Sequence, residues 1–324
     1  MENYNMNFRT KVGFEKLSDD WKITFNDTLL LLGSCFSDSV GQQMQNVALN
    51  AVLNPFGTLY NPCSIAAAIN RLMDGNEFLE EEIFEYEGLY HSFMHHSRFS
   101  NISVKGILQE INSSFIQARE QLKSARFLIV TFGTSWVYRL LKNGNIVANC
   151  HKLPEKNFIR NRLSVNEIVD VFDNVFFRLR KYNPNLRVIF TVSPIRHFRD
   201  GAHGNQLSKS TLLLAIDELC SKHTNTCYFP AYEIILDELR DYRFFAEDMV
   251  HPSSVAVQYV WKCFSEMFFD DKTRSYFPRI EKVKKAFLHK PFNNQIETYE
   301  KFMQNLNLQK EALEIELGIK FLNR

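Results

Sequence analysis

The sequence predicts an α/β fold, a three-layer α/β/α sandwich around a parallel sheet of about five strands with extra helices at the C-terminal end. Three observations carry this. Short, unbroken aliphatic runs recur along the chain, each stops at a small-residue loop, and segments with helical periodicity of ten residues or more separate them. Runs of this kind suit strands covered on both faces, and strands joined by helices form parallel sheets through right-handed crossovers.

The first run, Leu29-Leu30-Leu31-Leu32, ends in Gly33-Ser34-Cys35-Phe36-Ser37, and Val40, Met44 and Val47 then follow at helical spacing. Asn54-Pro55-Phe56-Gly57-Thr58-Leu59-Tyr60-Asn61-Pro62 reads as a loop by its Asn, Pro and Gly content, and a helix is expected from about Cys63 to Met73. Residues 78–100 are rich in aromatic residues and histidine without a clear period, as expected of an insertion lying over another part of the molecule. A helix over about 104–123 leads to a second strand, 125–132, that closes at Gly133-Thr134-Ser135-Trp136. A third unit repeats the pattern, with a helix over 165–181, a strand at 187–192 and a loop opening with Ser193-Pro194. A helix over about 208–222 precedes a short strand at 227–229. The last core helix is expected from Pro252, at its first position, to about Phe269. Beyond about residue 271 the chain is richer in Lys and Glu and predicts helices at 279–288 and 295–320, packed on this domain or on a second copy of the chain. The expected division is therefore 1–270 for the α/β domain and 271–324 for a helical extension.

Composition narrows the function. A net charge of +1 over 324 residues offers no electrostatic reason for nucleic-acid binding. No apolar run approaches the roughly 18–20 residues of a membrane helix, and Met1-Glu2-Asn3-Tyr4-Asn5 lacks the basic and apolar regions of a secretion signal. A cytoplasmic setting is expected. The six cysteines form no C-x-x-C pair and are expected as free thiols.

In an open parallel sheet the ligand site lies beyond the carboxyl ends of the strands, which places the loops at Gly33, Gly133 and Ser193 on one surface. A strand-to-helix turn presents unpaired N–H groups and the positive end of a helix dipole, which predicts a thiolate at Cys35 and an oxyanion site beside it. A nucleophile needs a base and the base an orienting group. Two Asp-x-x-His spacings offer them, Asp248 to His251 and Asp200 to His203. The first stands at the entrance to the last core helix and the second in a glycine-containing loop, so position favours the first.

These segments together resemble the GSCFA-domain proteins, placed among the SGNH (GDSL-like) hydrolases. The resemblance rests on Gly33-Ser34-Cys35-Phe36-Ser37, Asn54-Pro55-Phe56-Gly57, Phe132-Gly133-Thr134-Ser135-Trp136-Val137-Tyr138, Asn149-Cys150-His151-Lys152 and Asp248-Met249-Val250-His251-Pro252-Ser253. It implies an SGNH or flavodoxin-like sheet and a nucleophile-Asp-His triad, with Cys35 where the hydrolases carry serine and Ser34 at the preceding aspartate position. It further implies an oxyanion hole from the Cys35 and Gly57 N–H groups and the third block, where Gly133 matches and Ser135 replaces an asparagine. Thr134, Ser135 or Asn149 could stand in for that amide.

The implied reaction is hydrolysis of an acyl ester, on a carbohydrate by family analogy, with no cofactor. The alternatives are acyl transfer through a cysteine acyl-enzyme and a non-catalytic carbohydrate-binding protein on the same fold. Plainer readings stand beside these: Cys35 as a packing residue, Ser34 or Ser37 as nucleophile, and Asp248 and His251 as a capping pair. Asn149, His151 and His197 are expected to line the substrate site; Arg196, His197 and Lys152, at strand ends or in loops, read as solvated residues, with an anionic substrate group as the alternative. His91, His95 and His96, like Cys150-His151, match no metal-binding spacing, and no metal is assigned.

Overall fold

The computed structural model describes residues 11–14, 16–288 and 296–320. The reading of residues 1–5, and residue 295 at the start of the last expected helix, lie outside the described residues. Five parallel strands form the central sheet: β1 (Thr28–Gly33), β2 (Asn50–Leu53), β5 (Phe127–Phe132), β9 (Arg187–Val192) and β10 (Thr226–Tyr228). Their spatial order is β2-β1-β5-β9-β10, the 2-1-3-4-5 arrangement of flavodoxin-like sheets when these five are counted along the chain. The chain reverses its direction of winding between β1 and β5, so a crevice opens beyond the carboxyl ends of these two strands.

Helices α1 (Cys35–Asn46), α2 (Pro62–Asp74), α3 (Val104–Ser124), α4 (Val165–Tyr182) and α5 (Gly201–Lys222) connect the strands. The leucine run divides between the two faces because strand side chains alternate. Leu29 and Leu31 join a core with Phe36, Val40 and Met44 of α1, while Leu30 and Leu32 join the opposite core with α2 to α5. All four leucines are fully buried, which is why the run shows no polar alternation.

Beyond β10 come the short helix α6 (Ala231–Glu233), which continues as a π-turn over Ile234–Glu238, and then α7 (Ser254–Phe268), α8 (Asp271–Leu288) and α9 (Ile296–Leu317). Phe277, Ile280, Val283, Leu306 and Leu313 enter the same core as α1 and α7, so the C-terminal helices complete one face of the sandwich. No described helix is long and apolar enough to cross a membrane.

Four departures from expectation have local causes. Strand β2 is only four residues long at the sheet edge and merges into the Asn54-Pro55 loop. Helix α5 begins at Gly201, seven residues early, because its buried face overrides Gly201 and Gly204. Helix α7 begins at Ser254 with Ser253 as its cap, so Pro252 precedes the helix. Helix α8 begins at Asp271 and carries Pro278 inside it, although proline ordinarily ends a helix.

Residues 78–100 fold in part as the hairpin β3 (Ile83–Tyr86) and β4 (Leu89–Ser92). Residues 136–162 form a second antiparallel sheet, β6 (Trp136–Leu140), β7 (Ile146–Val147) and β8 (Phe158–Arg162). It covers the end of the crevice beside β5.

Gly33 is fixed by its surroundings. Its φ is +150°, and a Cβ there would lie 2.3 Å from the Thr131 carbonyl oxygen of the neighbouring strand. Gly33→Ala is expected to cost at least about 3 kcal/mol, because backbone must separate where β1 meets β5. Urea unfolding followed by circular dichroism checks this, and an unchanged midpoint would contradict it.

Candidate active site

Ser34 follows β1 and caps α1, its hydroxyl accepting from the Phe36 N–H at 3.3 Å. This places Cys35 at the first helical position, with the Cys35 and Phe36 N–H groups facing its sulfur. The turn is held by the Asn54 side chain, whose Oδ1 accepts from the Gly33 N–H (2.9 Å), and by the Leu59 N–H donating to Gly33 O (2.8 Å). Ser34 is buried in its capping role. Ser37 is buried with its hydroxyl donating to Thr131 Oγ1 at 2.6 Å. Of the three, only Cys35 turns towards a histidine.

That histidine is His251. The loop before α7 folds back on itself, with Ala246 N–H donating to His251 O (2.7 Å) and Ser253 N–H to Phe244 O (2.8 Å), while Met249 adopts a left-handed φ of 57° at the bend. Asp248 Oδ1 accepts from the Val250 and His251 N–H groups, both at 2.9 Å, and Oδ2 lies 2.5 Å from His251 Nδ1. The carboxylate therefore holds both the loop and the ring. His251 Nε2 is directed at Cys35 Sγ across 3.9 Å. The structure thus joins residues 216 positions apart into a Cys-His-Asp line.

The electrostatics divide along this line. Donation from the backbone N–H groups of His251 and Val250, then from the imidazole, holds the Asp248 carboxyl down to about 2. The Cys35 thiol moves the other way. Burial is the largest cause and the Asp38 carboxylate, one helical turn along α1, the second. Together they outweigh the lowering influence of the Cys35 and Phe36 N–H groups and of Lys209. This corrects the expectation of a resting thiolate: the helix N-terminus acts as expected, but desolvation and a like charge exceed it.

Asp38→Asn removes that opposing charge, so Cys35 alkylation by iodoacetamide at pH 7 is expected to quicken by about three- to tenfold. Peptide mass spectrometry on a time course checks it. A rate equal to that of the parent would show that Asp38 does not oppose the thiolate.

Apart from Cys35, the residues expected to form the oxyanion hole are engaged elsewhere. Gly57 N–H closes its own turn on Asn54 O (2.7 Å), and Gly133 N–H donates to Tyr60 O (2.8 Å). Ser135 is fully buried, its N–H donating to Ser208 Oγ (2.8 Å) and its hydroxyl bonded to the same oxygen (3.1 Å). Ser135 is packed inside the wall of the crevice, so it does not replace the missing amide. Gly57 and Gly133 serve as close-packing positions, since a Cβ on Gly57 would meet His96 Cβ at 2.3 Å and one on Gly133 would meet Tyr60 O at 3.0 Å.

The rival Asp200–His203 spacing resolves by tertiary structure. Asp200 pairs with Arg160 at 2.5 Å, and His203 is exposed on α5. The other histidines also separate. His151 is buried against His91, ring centroids 4.6 Å apart, with Nε2 bonded to Ser92 O at 2.9 Å, so it braces the hairpin and does not line the crevice. His91 bonds Ser100 Oγ, and His95 bonds Ser92 Oγ within a phenylalanine cluster. His96 N–H donates to Phe56 O and so supports the Gly57 turn. Arg196 is exposed.

His197 does reach the crevice, standing edge-on to Tyr60 with ring centroids 5.7 Å apart. Burial, then the Lys209 charge, lowers it to about 4, so it is neutral at pH 7. These two rings border an open cleft of about 580 Å³ that continues over Trp136, Tyr138 and Asn149, with Thr134, Cys150 and Lys152 also on its walls. Its cations are largely balanced within the protein, Arg160 by Asp200 and Arg199 by Glu155.

Asp38, Asn54 and Lys209 were missed as site residues by sequence reasoning. Lys209 had a legible signal, since at helical spacing it shares a face with Asn205, Leu212 and Ile216, where a lysine is out of place. Among the remaining cysteines, Cys63, Cys150, Cys227 and Cys263 are free thiols. Burial pushes Cys63 and Cys150 up to about 11.

A parallel five-stranded sheet in this order, covered by helices on both faces, with a nucleophile candidate at the first strand-to-helix turn and an Asp-His pair before α7, defines a flavodoxin-like α/β/α sandwich. The chain belongs to the GSCFA family, whose model matches residues 28–264. Solved structures similar to it include an acetyl xylan esterase from the rumen bacterium Butyrivibrio proteoclasticus, at 14% identity and a TM-score of 0.39, with 75% of this chain and 64% of that chain covered. A family two carbohydrate esterase from Clostridium thermocellum, an active-site mutant, is 9% identical with a TM-score of 0.39 over 75% and 63% of the respective chains. A carbohydrate esterase family 3 protein from Talaromyces cellulolyticus is 9% identical with a TM-score of 0.36 over 78% and 98%. The chain spans less than two thirds of the first two enzymes. No curated protein matches the sequence.

Proposed function

We propose that the protein hydrolyses acyl esters through a Cys35-His251-Asp248 triad, with small carbohydrate esters as the substrate class. The observation that supports this most is the continuous alignment from Asp248 Oδ2 through the imidazole to Cys35 Sγ, 2.5 and 3.9 Å. His251 Nε2 takes the thiol proton as sulfur attacks the ester carbonyl, then gives it to the departing alkoxide, leaving a thioester on Cys35. Water attacks the thioester with His251 again as base, releasing the acid and restoring the thiol. Asp248 fixes the ring tautomer and stabilises the imidazolium. The first turn of α1, with the Cys35 N–H, supports the oxyanion.

The Asp248 and His251 side chains are about half exposed (50% and 51%), so water reaches the base. This favours hydrolysis over transfer. The cleft beyond Tyr60, where Arg160 and Arg199 are paired with carboxylates and Lys152 adds a charge at the wall, suits a hydroxyl-rich alcohol portion without a strongly anionic group.

A panel of p-nitrophenyl and acetylated-sugar esters, with and without added sugar acceptors, tests the reading. Acid release that needs no acceptor supports hydrolysis, whereas product formed only with an acceptor would replace it by acyl transfer. Saccharide binding that persists in Cys35→Ala, with no turnover by the parent, would replace it by the binding-protein reading.

A further inference from the structure

Lys209 stands out among the buried groups that the triad does not use. It lies on α5 and is 1% exposed, and lysine is almost never so buried without a carboxylate partner. Its Nζ donates to Gly133 O at 2.6 Å and Ser193 O at 2.7 Å, the carbonyls just past the ends of β5 and β9. Its ammonium also sits 5.9 Å from the centre of the Tyr232 ring on α6. The two bonds hold the charge at the carboxyl ends of β5 and β9, and β5 pairs directly with β1, whose own carboxyl end leads into Cys35.

We propose that Lys209 is a positioning residue for the nucleophile: anchored on Gly133 and Ser193, its ammonium supplies the fixed positive charge that stabilises the Cys35 thiolate as His251 withdraws the proton. Lys209 keeps its own proton throughout this step, and no bond to it changes.

The surroundings agree with this role. Each element packed around Cys35 and Lys209 contributes a group: Asp38 from α1, Tyr60 from the loop before α2, His197 from the loop after β9, Tyr232 from α6 and His251 from the loop before α7. Asp38 is the anionic member, and it opposes the thiolate. His197 is neutral at pH 7. After the backbone N–H groups, the Lys209 charge also lowers the Cys35 thiol, and Cys35 in turn favours the charged form of Lys209. Burial brings Lys209 down to about 7, so its support is present below that pH and fades above it.

The inference rests on Cys35 being the nucleophile, and the test reads thiolate chemistry without any ester. Iodoacetamide labelling of Cys35 in the full chain is compared between the parent and Lys209→Met from pH 6 to 9, with Cys63 and Cys150 as internal controls. About tenfold slower labelling of the variant at pH 6.5, converging on the parent by pH 9, is expected; one unit of pKa corresponds to that factor. A purely structural role would slow or spare Cys35 equally at every pH, and either pattern overturns the proposal.

Should Lys209→Met fail to fold, the reciprocal coupling is read with Lys209 in place. In ¹³C-lysine-labelled Cys35→Asp and Cys35→Asn proteins, the Lys209 Cε midpoint is expected at least about one pH unit higher with the carboxylate. Equal midpoints overturn the proposal. Absence of ester turnover with the expected labelling pattern would instead count against the esterase reading alone.

Discussion

Cys35→Ala is expected to lower ester turnover by about 10⁴-fold or more, to the level that binding and the helix N-terminus sustain without a nucleophile. The fold should be unaffected, because Cys35 is partly exposed at the first turn of α1, while Ser34 caps the helix and Phe36 and Val40 carry its packing. Cys35→Ser is the more discriminating variant. A site that keeps a resting thiolate loses nearly everything when the hydroxyl replaces it, because a hydroxyl cannot be ionised in advance. Here burial and Asp38 raise the thiol, so the proposed mechanism has His251 act as a general base for either atom. Cys35→Ser is therefore expected to retain activity within about 10²-fold of the parent, and steady-state assays with mass spectrometry of the acyl-enzyme check this. A serine variant as inactive as alanine would show that the reaction depends on sulfur itself.

The second large effect is expected at the Asp-His pair. His251→Ala removes the base and should cost about 10⁴-fold in kcat, and Asp248→Asn about 10²- to 10⁴-fold by releasing the ring from its tautomer. The double variant should be little worse than His251→Ala, because the two residues act as one unit. Additive losses would mean that Asp248 acts elsewhere. Its carboxyl, held down to about 2, is fully ionised from about pH 4 upward, so any acid limb of kcat/KM above that pH belongs to another group. Asp248 also anchors the loop through two backbone N–H groups. Part of the asparagine effect should therefore appear as higher exchange of the Val250 and His251 amides, which hydrogen exchange measures.

How much of the site is legible depends on how local its cause is. Cys35 could be found because an aliphatic run, a glycine and a helical period occur within a few residues. Asp248 and His251 could be found because a spacing of three puts a carboxylate beside a ring. The choice between that pair and Asp200–His203 needed partners more distant in sequence, since the decisive contacts are Arg160 on one carboxylate and Cys35 beside the other imidazole. The expected donors at Gly57, Gly133 and Ser135 lie in the walls of the crevice, but their N–H groups go to Asn54, Tyr60 and Ser208, and no spacing in the chain announces that.

From the sequence alone follow the parallel sheet, its strand-to-helix turns and the candidate nucleophile, base and carboxylate. Those features arise from short-range alternation, periodicity and capping, which act between near neighbours. The tertiary structure alone decides the direction in which the Cys35 thiol shifts, the burial of Lys209 on α5 and the fate of the donors at Gly57, Gly133 and Ser135. Desolvation and charge are sums over everything packed within a few ångströms, and that set of neighbours exists only once distant segments have come together.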